Sequence, residues 1–383
     1  MNVTNDCNMR CRYCFVEQKP NYMSYETAKD ITNFLIQNAE ETGAVPSINF
    51  FGGEPLLCWD SIIVPLTKYI RDEYKRPFSL SMTSNCFLMT EDKLSFMRTH
   101  NIGLLFSVDG DKETQNYNRP LKDGRPSWEI TQERLPLVLR YYPDVIFRAT
   151  MIPATCHNTF HNIMFAAEQG YRSFFIVPNV FELWTDAEKA TAQAEMRKYS
   201  DYYISSLRDE ETPIQFSLYH ECFGKIQRIN TAILNSECRR EDMYGACAKC
   251  GLGTQCFAAI DFRGDIFACQ ELVSPHGENS PFYIGNIYTG VQDDLRKRLS
   301  EAFRTAEHGD KCEHCRLNRI CDGGCVANNY LITGDINKCA PVYCWWIQTI
   351  LDEAIYVCQT LGSEGNERFM RLWRSVLDGG CYG

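Results

Sequence analysis

No apolar stretch in the chain approaches the 18 or so residues of a membrane span. The opening residues, MNVTNDCNMR, lack the apolar centre of a secretory signal. A membrane protein and a secreted one are thereby disfavoured, and a cytoplasmic location is expected. Basic charge is also short. Lys+Arg 39 against Asp+Glu 49 gives −10, with no long basic run. Phosphate binding rests on clustered Lys and Arg, so nucleic acid is not the expected partner. Internal repeats and low-complexity tracts are missing as well. Hydrophobic content of 44% and charged content of 23% are ordinary for a globular chain and rule out a mostly disordered one.

Cysteine is abundant: 20 in 383 residues. Disulfide-dense chains are usually short and secreted. Twenty cysteines in a long chain without a signal point to metal. At roughly 150 residues per domain, the length suggests two or three domains, or one barrel of about 250 residues with an addition.

The first 215 residues alternate between strand and helix patterns. SINFF (47–51), FSLSM (78–82), IGLLFSV (102–108), VIFRATMI (145–152) and SFFIV (173–177) are short apolar runs bounded by turn residues, as buried parallel strands are. Ser24 and Thr90 stand as N-caps, and Thr185 with Glu188 forms a capping-box pattern before a long helix. With Val3-Thr4 closing a first strand, six strand–helix units result. This is an α/β pattern with a parallel sheet, open or closed into a barrel. Barrel ligands sit at the C-terminal ends of the strands. After about residue 235 the texture becomes loop-rich and holds more than half of the cysteines. Helical periodicity returns at 345–361 and 369–377, and the charged stretch 206–212 suits a domain junction.

Cys7, Cys11 and Cys14, spaced C-x3-C-x2-C, follow the first strand. Structural zinc takes four ligands. Three thiolates on a four-iron cluster leave one iron open, where a substrate or cofactor can bind. A second group is Cys250, Cys256 and Cys269, with Gly264 in the turn DFRGD. A third is Cys312, Cys315, Cys321 and Cys325. Alone, the third group also fits a zinc knuckle. Two full sets of four suit ligated iron–sulfur clusters instead, with Cys339 or Cys344 as the eighth ligand.

CNMRCRYCF followed by FFGGEP resembles the radical S-adenosylmethionine (SAM) enzymes, and the later cysteine array resembles their SPASM extension. The likeness runs from Val3 to about Leu351. It implies a partial (β/α)6 TIM-type barrel at 1–215, a linker at 216–240, a loop-rich SPASM domain at 241–345 and C-terminal helices at 346–383. It implies three 4Fe-4S clusters. Cys7, Cys11 and Cys14 hold the SAM-binding one. Cys250, Cys256, Cys269 and Cys325 ligate the first auxiliary cluster, and Cys312, Cys315, Cys321 and Cys344 the second. Cys344 is preferred to Cys339 because it opens the apolar helix WWIQTILDEA. Nine cysteines remain, and most are expected in the core. Phe15 matches an aromatic of the loop. Gly52, Gly53, Glu54 and Pro55 match the motif at the SAM amino group. Ser84, Asn85, Ser107 and Asp109 fall at strand ends that contact ribose and methionine. Arg148 on the fifth strand faces the methionine carboxylate. Turn chemistry is the plain alternative for Ser84 and Asn85, and an ion pair for Arg148.

The implied reaction is reductive cleavage of SAM to a 5′-deoxyadenosyl radical, which takes an unactivated hydrogen from the substrate. The electron is expected from a flavodoxin- or ferredoxin-type reductant. SPASM enzymes act mostly on peptides, forming thioether or carbon–carbon crosslinks in ribosomal peptides. A second branch matures sulfatases and carries an Asp base directly after the third cysteine of the first auxiliary set. Here Gln270 stands there, followed by Glu271. An amide cannot act as a base. In an extended segment neighbouring side chains face opposite ways, so Glu271 would not simply replace residue 270. Glu271 is kept as the catalytic candidate. The favoured expectation is a ribosomal-peptide maturase, with sulfatase maturation as the alternative and a zinc-rich binding protein as the non-enzyme one. Only six residues precede Cys7, so the leader-binding module of many maturases is not expected there, and a separate leader-binding protein becomes a candidate partner.

Overall fold

The computed structural model describes residues 1–209, 213–234, 257–273, 277–304, 312, 314–317, 321 and 323–378. It divides into two compact units. One comprises Met1–Val108, Gln115–Val145 and Leu252–Ser300; the other comprises Asp109–Thr114, Ile146–Gly251 and Glu301–Gly383.

In the first unit, β1 (Asn2–Thr4), β2 (Ser47–Gly52), β3 (Ser79–Ser84) and β4 (Ile102–Phe106) form a parallel sheet in sequence order. Ile48 pairs with Leu80, which pairs with Ile102. Alternate residues Ile48, Phe50, Leu80, Met82 and Phe106 are buried, as the period of two demands. α1 (Tyr25–Thr42) begins at Ser24, whose hydroxyl accepts from Thr27 N, and ends at Gly43 with φ 71. That left-handed turn is the usual glycine stop. α2 (Val64–Lys68) and α3 (Glu91–Thr99) follow, the latter capped by Thr90 accepting from Lys93 N. α4 (Lys112–Asn118) runs across the unit boundary, and α5 (Trp128–Tyr141) lies within the first unit. Ile31, Ile62, Leu66, Leu94 and Val138 complete this core, all fully buried. Each such aliphatic side chain contributes roughly 1.5–3 kcal/mol.

In the second unit, β5 (Phe147–Met151), β6 (Ser173–Pro178) and β7 (Gln215–Phe216) form a three-stranded parallel sheet. It carries α6 (Thr159–Gln169), α7 (Asp186–Asp209) and α8 (Ser217–Leu234). The capping box before α7 forms as expected: Glu188 N donates to Thr185 Oγ1 at 3.2 Å, and Thr185 N to Glu188 Oε2 at 2.7 Å. Residues 216–240, expected as a linker, open with the 18-residue helix α8. Its Tyr219 and Phe223 are fully buried beside Tyr199 and Tyr203 of α7, because an aromatic face at helical spacing needs a partner surface.

The first unit also contains β8 (Ala259–Ile260), β9 (Asp265–Phe267), β10 (Tyr283–Asn286) and β11 (Gly290–Val291), an antiparallel sheet followed by α9 (Asp293–Arg304). Gly264 turns between β8 and β9 with φ 84. The second unit ends with α10 (Val326–Thr333), α11 (Pro341–Ser363) and α12 (Glu367–Asp378). α11 is fastened to α7 through Glu353. This buried carboxylate accepts from Arg197 Nε at 2.8 Å and Ser200 Oγ at 2.6 Å. Among the described residues no helix is long and apolar enough to cross a membrane.

Candidate active site

The cysteine loop leaves the C-terminal end of β1 and is held on both sides. Its backbone pairs with residues 118–122. Arg10 N donates to Pro120 O (2.8 Å), Arg12 N to Asn118 O (3.0 Å), and Lys122 N to Asn8 O (2.9 Å). Asp6 Oδ1 accepts from Cys7 N at 2.9 Å and Lys122 Nζ at 2.7 Å, while its Oδ2 accepts from Tyr22 OH at 2.8 Å. Lys122 holds the Asp6 carboxyl below the usual range, and the bond to Asp6 pushes the Tyr22 phenol up to about 12.

Each thiol of the loop faces a donor. Cys7 Sγ takes Met9 N at 3.4 Å and Asn85 Nδ2 at 3.7 Å. Cys11 Sγ takes Arg119 Nη1 at 4.0 Å, and Cys14 Sγ takes Gln18 Nε2 at 3.7 Å. Cys7 is buried, Cys11 half-buried and Cys14 exposed. Burial pushes the Cys7 thiol up to about 12, against the Met9 N–H. Asn8 Nδ2 is buried without a hydrogen-bond partner inside this loop, and an orphaned donor of that kind awaits an acceptor. The sulfur donor set and this atom fit a thiolate-bound cluster with a polar ligand beside it.

Gly52 and Gly53 have a reason of their own. A Cβ on Gly52 would meet Thr4 O at 2.1 Å, and one on Gly53 would meet Asp6 O at 2.1 Å. Instead Gly53 N donates to Thr4 O and Glu54 N to Asp6 O. The glycines let the end of β2 lie against the root of the cysteine loop. Glu54 then turns inward and is 1% exposed. Its Oε1 accepts from Ser84 Oγ (2.8 Å) and Leu56 N (3.0 Å), and its Oε2 from Asn85 N (2.9 Å). Burial pushes this carboxyl up to about 7, against those three donors. A carboxylate has about four acceptor sites, so one is left for an ammonium. Pro55 opens the short helical turn Pro55–Cys58.

Ser84 and Asn85 perform turn chemistry as well as contacting the loop. Cys86 N donates to Ser84 Oγ, Phe87 N to Asn85 Oδ1, and Asn85 Nδ2 to Asn8 Oδ1 at 2.8 Å. Ser107 N donates to Ser84 O at 2.9 Å, tying the ends of β3 and β4. Phe15 is 40% exposed and stacks on Phe51 at 6.2 Å. Asp109 and Arg148 belong to the second unit. Asp109 is buried and accepts from Thr150 N at 3.0 Å. The Arg148 guanidinium lies 4.3 Å from the Phe175 ring centre.

Of the expected auxiliary ligands, Cys250 and Cys256 lie outside the described residues. Cys269 follows β9 in the first unit, and Cys325 caps α10 in the second. Cys339 stands within hydrogen-bond reach of Cys344, and this contact with burial pushes the Cys339 thiol up, with Cys321 and Cys312 near enough to add to it. Leu317 N donates to Cys315 Sγ (3.5 Å), Gly323 N to Cys321 Sγ (3.3 Å), and Gln348 Nε2 to Cys344 Sγ (3.5 Å). Both rivals for the last ligand thus stand at the same place. Among the described residues no three His, Cys, Asp or Glu side chains gather closely enough for a single metal ion. Of the nine spare cysteines, Cys58, Cys86, Cys156 and Cys222 are buried as expected. Cys238, Cys247 and Cys381 lie outside the described residues.

Residues Gln270–Leu272 form a helical turn rather than an extended segment. The opposite-faces reasoning for Glu271 therefore does not hold. A space of about 520 Å³ in the first unit is walled by Phe34, Asn38, Asn49, Phe51, Gln270 and Arg296 among others. Gln270 is on its lining, and none of Cys7, Cys11, Cys14, Glu54, Ser84 or Asn85 is.

The description of the radical SAM superfamily matches residues 1–167. An uncharacterised protein of Methanocaldococcus jannaschii is 32% identical over 274 residues, covering 71% of this chain and 84% of its own length. This chain belongs to the radical SAM superfamily. As a radical SAM enzyme it is implied to use a 4Fe-4S cluster and SAM. It is also similar to the radical SAM cyclopropyl synthase TigE of Paramaledivibacter caminithermalis (25% identity, 85% of this chain, 66% of the relative). A serine-type anaerobic sulfatase-maturating enzyme of Bacteroides thetaiotaomicron is 21% identical over 86% of this chain and 82% of its own. In fold it is similar to native anSMEcpe with bound AdoMet and Cp18Cys peptide (TM-score 0.72, 16% identity, 94% and 97% covered). A second fold neighbour is Streptococcus suis SuiB bound to the precursor peptide SuiA (TM-score 0.60, 18% identity, 89% and 74% covered).

Sequence reasoning missed Asp6, Tyr13, Tyr22, Arg119 and Lys122, the residues that hold the cysteine loop. The only signal was the run NYNRPLKDG at 116–124, which ends at Gly124 with φ 84.

Proposed function

We propose that this radical SAM enzyme is a peptide maturase, installing a thioether or other crosslink in a ribosomally made peptide. The observation that carries the chemistry is the cysteine loop with a donor at every sulfur, packed against buried Glu54. When bound, the cluster and SAM supply the carbon radical that takes a hydrogen from the substrate. Cys7, Cys11 and Cys14 hold the cluster. Gly52, Gly53, Pro55 and Glu54 place a carboxylate for the SAM ammonium, with Ser84, Asn85, Ser107, Asp109, Arg148 and Phe15 as further SAM contacts. Cys250, Cys256, Cys269 and Cys325 ligate one auxiliary cluster, and Cys312, Cys315, Cys321 and Cys344 the other. The domains follow as a partial barrel to residue 215 and a SPASM domain at 241–345. A cytoplasmic flavodoxin or ferredoxin supplies the electron, and a separate protein presents the leader.

Gln270, standing where the resembled sulfatase-maturing branch carries an Asp, favours crosslinking over formylglycine formation, because an amide cannot act as a general base. Names and bound peptides of the relatives support a peptide substrate for both readings. The experiment is mass spectrometry of two peptides incubated anaerobically with reconstituted enzyme, SAM and a strong reductant. Oxidative crosslinking removes two hydrogens from the precursor peptide encoded nearby. Formylglycine on a sulfatase peptide, with the precursor untouched, overturns the proposal.

A further inference from the structure

Arg119 follows α4 and is 7% exposed. Its backbone is fixed by the bond from its N–H to Gln115 O at 2.9 Å and by the pairing of residues 118 and 120 with the cysteine loop. Its guanidinium sits 5.3 Å from the ring centre of Tyr13 and points Nη1 at Cys11 Sγ, 4.0 Å away. The other two sulfurs face neutral donors: backbone N–H and amide for Cys7, amide for Cys14. Cys11 alone faces a full positive charge among these donors.

We infer that Arg119 is a positioning residue that sets the reduction potential of the cluster held by Cys7, Cys11 and Cys14. A cluster gains negative charge when reduced. A nearby cation and an N–H donor to a ligating sulfur stabilise the reduced form more than the oxidised one, and so raise the potential. Partial burial makes the charge effective, since solvent does not screen it fully. The guanidinium lies over the Tyr13 ring, a contact that holds an Arg side chain in place. The inference rests on family membership and not on the peptide reading.

The test is a redox titration of the holoenzyme without peptide, following the part of the electron paramagnetic resonance signal that SAM alters. That part reports the open cluster alone. In R119Q its midpoint should move to more negative potential, with the auxiliary signals unmoved. SAM cleavage driven by a weak reductant should fall roughly tenfold, as loss of a charged hydrogen bond predicts, and recover with a stronger one. R119K should restore most of the shift. An unmoved midpoint in iron-replete R119Q overturns the inference. Should R119Q fail to hold its iron, wild-type protein labelled with 15N in the arginine guanidinium decides. A weak nitrogen coupling to the SAM-sensitive signal, lost in R119K, supports the inference; its absence from the wild type, or its persistence in R119K, overturns it.

Discussion

Cys7 and Cys11 take donors from Asn85 and Arg119, 78 and 108 positions away, whereas Cys315, Cys321 and Cys344 take theirs from residues two to four positions away. The first site is therefore a product of the fold. β2, β3 and the segment 117–122 build its walls. At the second site the sulfurs of Cys315, Cys321 and Cys344 take donors from neighbouring turns, and Cys339 stands beside Cys344.

The largest expected effect breaks the first site alone. Replacing Cys7, Cys11 and Cys14 with Ala should abolish SAM cleavage and leave a folded protein with about eight of about twelve irons. Iron analysis, circular dichroism and assay for 5′-deoxyadenosine check this. A globally unfolded triple variant would erase the contrast between the sites.

Cys321→Ala should do the reverse, losing order as well as activity. Its melting temperature should drop by at least about 5 °C, with loss of auxiliary iron. Scanning calorimetry of the reconstituted protein measures it, and an unchanged transition with full iron counts against metal-dependent order.

Two glycines sharpen the comparison. Gly53→Ala drives a Cβ into Asp6 O, a backbone atom that cannot retreat without shifting the loop. SAM cleavage should fall about a hundredfold. Gly324→Ala meets the Tyr343 ring and Cys339 Sγ at φ 90. It should cost about 1–2 kcal/mol of stability while cleavage stays within roughly threefold. Equal losses of cleavage in both variants would contradict the distinction.

The smallest effect concerns Asp6. Lys122, mainly through its hydrogen bond, lowers this carboxyl below the ordinary value. A lowered folded value means the folded state releases the proton more readily. The contribution is therefore fully present above the ordinary aspartate range and lost as pH falls through the lowered value. Asp6→Asn should cost about 0.5–1 kcal/mol at neutral pH and nothing in strong acid. Urea unfolding of iron-free protein across the acid range reads this directly.

Local features were legible in the sequence for a physical reason. The caps at Ser24, Thr90 and Thr185 act within three residues, and the strands around Phe50, Met82 and Phe106 announce themselves by apolar runs. The triple cysteine and the glycine pair were equally visible, though the glycines serve the loop's backbone as well as the expected ligand. Arg119 and Tyr13 were not visible, because nothing at position 119 reports that it will meet position 11. Strands of two to four residues, such as β8 and β11, are too short to show a period. The turn at Gln270 carried no glycine or proline to mark it.

Pairing of the cysteine loop with residues 117–122 sets an order of events during synthesis. Asp6 waits for Lys122, 116 positions later, and Arg12 for Tyr117, 105 positions later. At about 5–20 residues per second on the ribosome, the loop spends several seconds without its second wall. Iron delivered in that interval would find three thiols on an unbraced strand. The cradle of the three thiols is therefore complete only after residue 122 has cleared the exit tunnel.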